Sequence, residues 1–144
     1  MQVKIKLDEG GKMPVKKTDG AACYDCYANI INGLENSVTI SPFQTVVIPL
    51  GFHCEFDEGY EMDVRGRSGN SLKGLVVQLG CVDSDYRGTV GAIVCNTTDK
   101  PQSVRNGDRI AQIIFHPVVK TELTEADSLS GTARGEGGFG STGK

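Results

Sequence analysis

The sequence predicts an all-β fold, and two observations carry that prediction. Apolar and polar residues alternate in several short stretches, which is the pattern of half-buried strands. Turn-forming pairs such as Asp-Gly and Asn-Gly separate these stretches at short intervals. An apolar period of 3.6 residues never persists for about ten residues, so the sequence does not favour a helical domain. Many short strands with regular turns are typical of a β-sandwich, a jelly roll or a small barrel.

The individual strands are recognised by alternation or by β-branched residues. The predicted strand segments, in chain order, are 2–7, 45–50, 52–56, 60–65, 74–79, 89–95 and 110–115. In residues 52–56 the alternation places Phe52, Cys54 and Phe56 on one side of the strand. Only residues 68–74 offer a short helical turn.

Length and charge bound the possible partners. The chain has 144 residues, which suggests one domain that is large enough to bury a core. A net charge of −3 and a loose scatter of lysines in the first 17 residues give little reason to expect nucleic-acid binding. No apolar run approaches the ~18 residues of a membrane span, and the first residues lack the apolar core of a signal peptide. We therefore expect a cytoplasmic protein without a nucleic-acid or membrane partner.

The cysteines predict reduced thiols. There are five, Cys23, Cys26, Cys54, Cys81 and Cys95, and an odd count without a secretion signal argues against a disulfide framework. Cys23 and Cys26 form a C-x-x-C pair, but neither a second pair nor a histidine lies at the spacing that zinc needs. We expect these side chains to act as small hydrophobic groups rather than as metal ligands.

The end of the chain differs in composition from the rest. We divide the sequence into a β domain, residues 1–127, and an arm, residues 128–144, with six glycines between 131 and 143. Such a segment cannot bury enough apolar surface to order itself, which favours a mobile arm. It also contains G-x-x-x-x-G-K from Gly138 onward, which is close to a phosphate-binding loop. A P-loop, however, needs a strand before it and a helix after it.

Two internal segments suit phosphate or proton chemistry. In GRSGNS, Arg67 offers a planar fork of donors, and Ser68 and Gly69 add a hydroxyl and an amide that suit phosphate oxygens. An ordinary polar turn is the alternative for this segment. In GCVDSDYRG, Asp83 follows a strand end within a turn. Its carboxylate could take a proton from a water or could cap the turn.

Two further polar residues lie among apolar ones. Asp25 lies within AACYDCYA, and Gln112 lies within the apolar segment 110–115. A polar residue at an inward strand position needs a partner, whereas simple alternation would place Gln112 at the surface. The two histidines, His53 and His116, lie outside these segments. Catalysis is therefore expected to use a carboxylate or a metal rather than a serine or cysteine nucleophile with histidine.

Taken together, five segments in this order resemble the five motifs of the trimeric dUTPases (dUTP nucleotidohydrolases). The segments are AACYDCYA (21–28), GRSGNS (66–71), GCVDSDYRG (80–88), GDRIAQIIF (107–115) and RGEGGFGSTG (134–143). The third followed by the fifth is the specific combination. The resemblance implies a jelly-roll-like distorted β-barrel with a flexible glycine-rich arm. It also implies a homotrimer in which one chain supplies the third motif to each site, a second supplies the first, second and fourth, and a third lends its arm.

The resemblance implies hydrolysis of dUTP at the α-phosphorus to dUMP and pyrophosphate, which limits uracil incorporation into DNA and supplies dUMP for dTMP synthesis. Asp83 resembles the general base that deprotonates the attacking water. Tyr86 resembles the residue whose ring packs under the sugar and leaves no room for a 2′-hydroxyl. The backbone from Leu79 through Gly80 to Cys81 would pair with the edge of uracil, because a wrong base would leave buried groups unpaired.

The same resemblance assigns the phosphates. Arg67, Ser68, Gly69 and Gln112 would hold them, and Asp25 resembles a supporting aspartate near the arginine. Mg²⁺ would be held by the phosphates and by water, without a direct protein ligand, and would neutralise charge during transfer.

The arm would close over the nucleotide. Arg134 would reach the γ-phosphate region, and Phe139 would stack on uracil, an interaction worth ~1–3 kcal/mol. Closure would also expel water from the site. The other arm residues implied in substrate binding are Gly138, Gly140 and Ser141.

The sequence departs from the family pattern at a few positions. Cys23 and Cys26 stand where glycine and leucine are more usual, and Asn70 and Ser71 replace an apolar residue and an alanine. These changes leave the residues assigned to catalysis and to the arm untouched.

Two alternatives remain open at this point. A dCTP deaminase of the same superfamily would share the fold, but it should lack the arm motif and the tyrosine of the third motif. A non-catalytic interaction module would bind dUTP as a signal and engage a protein partner. Turnover of the nucleotide separates both from a dUTPase.

Overall fold

The computed structural model describes residues 1–31 and 35–139, which fold into β-strands with one short helix. The strands within those ranges are β1 (Lys4–Leu7), β2 (Tyr24–Tyr27), β3 (Ser37–Ile40), β4 (Thr45–Pro49), β5 (Phe52–Glu55), β6 (Tyr60–Gly66), β7 (Leu75–Val77), β8 (Gly80–Val82), β9 (Gly91–Asn96), β10 (Gln102–Arg105) and β11 (Arg109–Pro117). The helix α1 is Ser68–Ser71. No helix in the described part of the chain is long and apolar enough to cross a membrane.

The strands pair into four antiparallel sheets. The largest has the order β2-β11-β6-β8, and a second has the order β4-β9-β7. Two further pairs, β1-β5 and β10-β3, complete the arrangement. The fold is all-β and jelly-roll-like, as predicted, and the helical turn predicted within residues 68–74 is α1.

The core is built from the inward-facing residues of these strands. Phe52, Cys54 and Phe56 are all buried, which confirms the side predicted from their alternation. The ring of Phe56 packs edge-on against that of Phe115 from β11, with the centroids 5.3 Å apart. Burial of such a side chain stabilises the fold by roughly 1.5–3 kcal/mol, so this alternation orients the strand strongly.

Four strands were not predicted: β2, β3, β8 and β10. Residues 80–82 were not among the predicted strand segments, but Gly80–Val82 forms β8 against β6, so Asp83 follows a strand end as the sequence suggested. Strand β3 pairs with β10, and β2 pairs with β11. Each of the four is only three or four residues long, and β2, β3 and β10 also contain polar residues. Their strand conformation is stabilised by partners that are distant in sequence, which a local pattern does not report.

Asn96 is a fully buried polar residue at the end of β9. Its amide nitrogen lies 3.0 Å from the carbonyl oxygen of Ile40, 3.2 Å from that of Ser41 and 2.8 Å from that of Lys100. Its side-chain oxygen accepts hydrogen bonds from the backbone nitrogen and the hydroxyl of Thr98. The same oxygen lies 3.1 Å from the side-chain nitrogen of Gln102, so one side chain joins the ends of β3, β9 and β10.

Replacing Asn96 with leucine, which is branched at the same atom but larger and without polar atoms, should lower the free energy of unfolding by about 2–4 kcal/mol. The carbonyl oxygens would stay buried without donors, and each such group costs about 1–3 kcal/mol. Urea unfolding followed by circular dichroism measures the change. Ser103→Ala on the exposed face of β10 is the control, with an expected change below ~0.5 kcal/mol. Equal effects of the two substitutions would contradict this account.

Candidate active site

Asp25 organises a cluster at the C-terminal end of β6. Its Oδ1 accepts a hydrogen bond from Arg67 Nε at 2.9 Å, and its Oδ2 accepts one from Arg109 at 3.0 Å. The Asp25 side chain is only 12% exposed, so these pairs lie where hydrogen bonds to charged groups are strong. We call Asp25, Arg67 and Arg109 the guanidinium cluster. It presents two positive groups whose orientation is fixed by one carboxylate.

Helix α1 is anchored to this cluster. The side-chain amide of Asn70 donates to the carbonyl oxygen of Arg109 at 3.0 Å. Ser68 and Gly69 begin the helix and are exposed, and a Cβ at Gly69 would meet nothing within 4 Å. An oxyanion can therefore approach the Ser68 hydroxyl and the local backbone closely.

Gln112 has the partner that an inward position requires. Its side-chain nitrogen donates to the carbonyl oxygen of Gly66 at 2.9 Å, and the residue is half-buried. In the register it lies opposite both Asp25 on β2 and Arg65 on β6. Gln112 thus has a hydrogen-bond partner, but it lies on the half-buried face of β11, because its neighbours Ala111 and Ile113 fill the buried face. Its register joins β2, β11 and β6.

Asp83 and Tyr86 line a separate cavity of about 220 Å³. Asp83 follows β8 directly, and its carbonyl oxygen accepts a hydrogen bond from the Tyr86 nitrogen at 3.1 Å, which closes a turn. Both side chains are exposed, Tyr86 to 45%. The other lining residues are Val64, Gln78, Gly80, Cys81, Val82, Thr89, Val90, Gly91 and Ile93. A carboxylate, an aromatic ring and an apolar floor therefore meet in one hollow.

Strand β8 forms one wall of this hollow and is an edge strand. It pairs with β6 through Gly80↔Val64 and Val82↔Met62, and it ends the sheet. Edge strands present free backbone donors and acceptors, and glycine leaves them unobstructed. Leu79, just before β8, is 69% exposed. This stretch of backbone can therefore hydrogen-bond the edge of a planar ligand.

The ring of Tyr86 lies folded back on its own loop. Its hydroxyl donates to the carbonyl oxygen of Thr89 at 3.2 Å. A Cβ built at Gly88 would collide with the Tyr86 hydroxyl, so the loop admits only glycine at that position with the ring as it stands. The position of residues 87–89 thus fixes the position of the ring.

The thiols near the site are protonated at neutral pH. Cys81 is exposed and donates to Glu61 at 2.9 Å, and this hydrogen bond raises the pKa of the Cys81 thiol to about 11. Burial raises the pKa of Cys26 to about 12. Asp63 lies near Cys81 and Glu61, but its carboxylate already accepts from Arg65 at 2.7 Å. Cys26 and Cys54 are buried as expected, whereas the exposure of Cys81 differs from the expectation for a small hydrophobic side chain.

The guanidinium cluster and Asp83 lie at opposite ends of β6. Met62 pairs with Val82, the neighbour of Asp83, whereas Arg67 follows the other end of the strand. Met62 and Arg67 are five residues apart, which corresponds to about 16 Å along a strand. One chain therefore does not bring its own Asp83 and Arg67 together on one phosphate chain.

The described part of the arm carries exposed groups. Residues 118–139 contain no strand or helix. Arg134 donates to the carbonyl oxygen of Gly137 at 2.8 Å, and the Phe139 side chain is fully exposed. Gly138, beside it, is half-buried. Gly140 and Ser141, which were also assigned to the substrate, lie outside the described residues.

Comparison with known proteins identifies the family of this chain. The dUTPase family model matches residues 9–143. The chain belongs to the dUTPase family. A deoxyuridine 5′-triphosphate nucleotidohydrolase of Chlamydia pneumoniae is 44% identical over 147 residues, covering 99% of each chain. That of Hydrogenobaculum sp. (strain Y04AAS1) is 42% identical over 141 residues, covering 96% of this chain and 94% of that protein.

A solved structure agrees with the assignment to the dUTPases. The dUTPase of Staphylococcus bacteriophage 80alpha, determined with dUpNHpp, is 26% identical and superposes with a TM-score of 0.87 over 99% of both chains. The family inferred from the five motifs is thereby confirmed.

Contacts also reveal residues that the motifs did not single out. Arg109 and Asn70 hold the guanidinium cluster and α1 together. Arg109 lies inside the fourth motif as the charged residue that begins β11, and β11 pairs with the strand that carries Asp25. The signal in the sequence was an arginine at the start of an otherwise apolar strand segment inside the fourth motif.

Proposed function

We propose that the protein hydrolyses dUTP at the α-phosphorus to dUMP and pyrophosphate, which limits uracil incorporation into DNA and supplies dUMP for dTMP synthesis. The observation that carries this proposal is the meeting of Asp83, Tyr86 and the open edge of β8 on one cavity in a chain of the dUTPase family. The cytoplasmic location expected from the sequence stays a prediction.

Asp83 is the general base of the proposed reaction. Its exposed carboxylate takes a proton from a water as the water oxygen bonds to the α-phosphorus. The bond from that phosphorus to the oxygen bridging to the β-phosphorus breaks, and pyrophosphate leaves with the electron pair. An exposed site at a strand end suits this role, because the carboxylate can reach both solvent and a bound nucleotide.

Uracil pairs with the backbone of Leu79, Gly80 and Cys81 in this proposal. Uracil presents acceptor, donor and acceptor groups along one edge, and cytosine presents a different order. A fixed set of backbone groups along the edge of β8 therefore discriminates between them. Tyr86 packs against the deoxyribose and excludes a 2′-hydroxyl, which would reject UTP.

The triphosphate is bound by Arg67, Ser68, Gly69 and Gln112 of a second chain. This sharing is supported by the spacing of about 16 Å along β6, which separates the two groups within one chain. A homotrimer with three shared sites would supply both halves to each nucleotide. Val47 and Ile93, which are exposed apolar side chains paired in register on β4 and β9, offer a surface for such contacts.

Mg²⁺ fits this arrangement as a companion of the substrate. Both oxygens of Asp25 accept hydrogen bonds from guanidinium groups, so Asp25 would orient Arg67 and Arg109 while phosphate oxygens and water hold the ion. Four acidic residues and one lysine, Lys120, line an open hollow of about 640 Å³ that includes Asp83; the acidic residues are Glu58, Glu61, Asp83 and Asp85. A bare triphosphate would be repelled there, and Mg²⁺ supplies charge neutralisation.

The arm closes the proposed site. Arg134 and Phe139 are exposed, so both groups are available to a nucleotide bound on a neighbouring chain. Arg134 pairs with the γ-phosphate, Phe139 stacks on uracil, and Gly138, Gly140 and Ser141 contribute backbone and hydroxyl groups to the phosphates.

Product analysis tests this function. The protein is incubated with Mg²⁺ and, separately, with dUTP, UTP, dCTP and dTTP, and phosphorus NMR follows the products. We expect dUMP and pyrophosphate from dUTP alone. Ammonia released from dCTP would instead indicate a deaminase, and tight dUTP binding without turnover would indicate a sensing module.

Asp25→Asn should raise the KM for dUTP by about 10- to 100-fold. The substitution removes the charge that orients Arg67 and Arg109, and hydrogen bonds to charged groups contribute about 1.5–3 kcal/mol. Steady-state kinetics with saturating Mg²⁺ measure the change. Asp19→Asn, an exposed aspartate on the loop before β2, is the control and should leave KM unchanged. An unchanged KM in Asp25→Asn would remove this residue from the phosphate site.

A further inference from the structure

We propose that His53, acting with Asp8, is a positioning residue that holds Tyr86 in place and thereby sets the discrimination between deoxyribose and ribose. Neither residue belongs to the five motifs, and His53 lies on β5, outside the strands that carry the guanidinium cluster. The inference rests on the proposed function of Tyr86 as the residue that contacts the sugar.

Both ring nitrogens of His53 face oxygen atoms. Nδ1 lies 2.8 Å from the carbonyl oxygen of Arg87, and Nε2 lies 2.8 Å from Oδ1 of Asp8. A carbonyl oxygen only accepts, so Nδ1 must carry a proton, and Nε2 donates to the Asp8 carboxylate when the ring is an imidazolium. The geometry thus favours the doubly protonated ring, which clamps Arg87 and Asp8 at the same time.

Asp8 carries this restraint on to the loop that holds Tyr86. The hydroxyl of Thr89 donates to Oδ2 of Asp8 at 3.2 Å, and the carbonyl oxygen of Thr89 accepts from the Tyr86 hydroxyl at 3.2 Å. His53 therefore reaches Tyr86 by two short routes. One runs through Arg87, the neighbour of Tyr86 in the chain. The other runs through Thr89, whose hydroxyl bonds Asp8 and also lies 3.3 Å from Nε2 of His53.

The contacts of His53 and Asp8 help to hold residues 86–89, because this loop forms no strand and regular backbone pairing begins only at Val90. Val90 is held by backbone hydrogen bonds to Phe52 and Leu50 at 2.9 Å each. Residues 86–89 precede that anchor and belong to no strand. Because the Tyr86 ring packs on Gly88 without room for a Cβ, a displacement of this segment moves the ring.

The groups around His53 shift its pKa in opposite directions. The hydrogen bonds to the Arg87 carbonyl and then to Asp8 raise the pKa of His53 above its usual value, while Lys6, its register partner on β1, opposes the rise. A raised pKa means that the imidazolium clamp is complete at lower pH and is lost as the pH rises through the pKa of the folded protein. The neutral ring can donate from only one nitrogen.

Discrimination between dUTP and UTP tests the proposal. The ratio of kcat/KM for dUTP to that for UTP is measured in the parent, in His53→Gln and in His116→Gln across a range of pH. Glutamine cannot carry the imidazolium charge or donate in both directions. We expect the ratio in His53→Gln to fall by roughly three- to tenfold, the effect of one hydrogen bond, and to lose its pH dependence. In the parent the ratio should decline as the pH rises through the pKa of His53.

His116→Gln is the matched control because it changes the other histidine of the chain, on β11, where the ring accepts from Arg65. It should retain the parent ratio and its pH profile. If His53→Gln loses activity equally on both nucleotides, His53 has only a structural role. If the variant keeps the parent ratio and pH profile, His53 has no role in selectivity. Either result overturns the proposal.

An NMR titration of the parent provides a readout that does not depend on turnover. The ring signals of His53 and Tyr86 are followed against pH, and we expect both to shift at the same midpoint. In Asp8→Asn the Tyr86 shift should vanish even if His53→Gln does not fold. Independent titration of the two rings would overturn the coupling, whereas a parent that leaves dUTP intact would contradict the proposed function instead.

Discussion

Asp83→Asn should remove nearly all dUTP hydrolysis while nucleotide binding stays close to that of the parent. Asparagine keeps the size of the side chain but cannot take a proton from the attacking water. General-base catalysis typically contributes a factor of about 10²–10⁴, and we expect a loss of that order in kcat. Asp83 is exposed, and its side chain forms no ion pair in the described part of the chain. The substitution should therefore leave the fold intact.

Asp99→Asn is the matched control for this substitution. Asp99 is an exposed aspartate on the loop after β9, and it lines neither the cavity that contains Tyr86 nor the acidic hollow that includes Asp83. Single-turnover kinetics measure the chemical step, and the affinity for dUpNHpp measures binding. If Asp83→Asn hydrolyses dUTP at the parent rate, another group must be the base.

Shortening the chain after Ser130 should abolish most of kcat while leaving assembly unchanged. The shortened chain lacks Arg134 and Phe139, whose contacts with a nucleotide are worth about 1.5–3 kcal/mol for a charged hydrogen bond and ~1–3 kcal/mol for stacking. We therefore expect kcat to fall by at least about tenfold. Residues 118–139 form no strand or helix, so the β-sheets should not depend on the arm.

Light scattering checks the assembly of the shortened chain, and steady-state kinetics check its turnover. The full-length chain with Glu136→Gln is the control, because it changes one exposed charge within the arm and keeps both contacting groups. An unchanged kcat in the shortened chain would exclude the arm as a lid. A loss of the parent's oligomeric state would show that the arm is structural.

Sequence patterns predicted the strands that carry clear alternation or β-branched runs. Residues 52–55 form β5, where Phe52 and Cys54 are buried as the alternation predicts. Residues 60–65 lie in β6 as predicted, but their burial does not alternate, because the three successive residues from Met62 to Val64 are all buried. Strand β2 was missed because Tyr24–Tyr27 is short and contains a charged residue, Asp25, whose carboxylate is satisfied by two arginines. Such a strand is stabilised by contacts with β11, and a local window does not contain β11.

The candidate site was predicted only in part, because several of its contacts join residues that are distant in the sequence. Arg67, Asp25 and Gln112 were assigned through the order of the motifs, and the structure places them in contact across β2, β6 and β11. Asn70 was noted only as a departure, although its amide anchors α1. His53 was set aside because no motif contains it. Its importance arises from hydrogen bonds to residues 45 and 34 positions away, which no sequence pattern marks.

The separation of Asp83 from the guanidinium cluster agrees with the motif resemblance, which assigned the two groups to different chains. Both groups lie next to β6, at positions about 16 Å apart along the strand, so one chain does not bring them together on one phosphate chain. This geometry supports the shared-site arrangement independently of the motif order. The proposed shared site therefore requires an oligomer.

The most direct test of the central claim is hydrolysis of dUTP in water enriched in ¹⁸O, followed by mass spectrometry of both products. Attack by an Asp83-activated water on the α-phosphorus places the heavy oxygen in dUMP. The account therefore predicts labelled dUMP and unlabelled pyrophosphate. Label in pyrophosphate with unlabelled dUMP would show attack on the β-phosphorus and would contradict the mechanism.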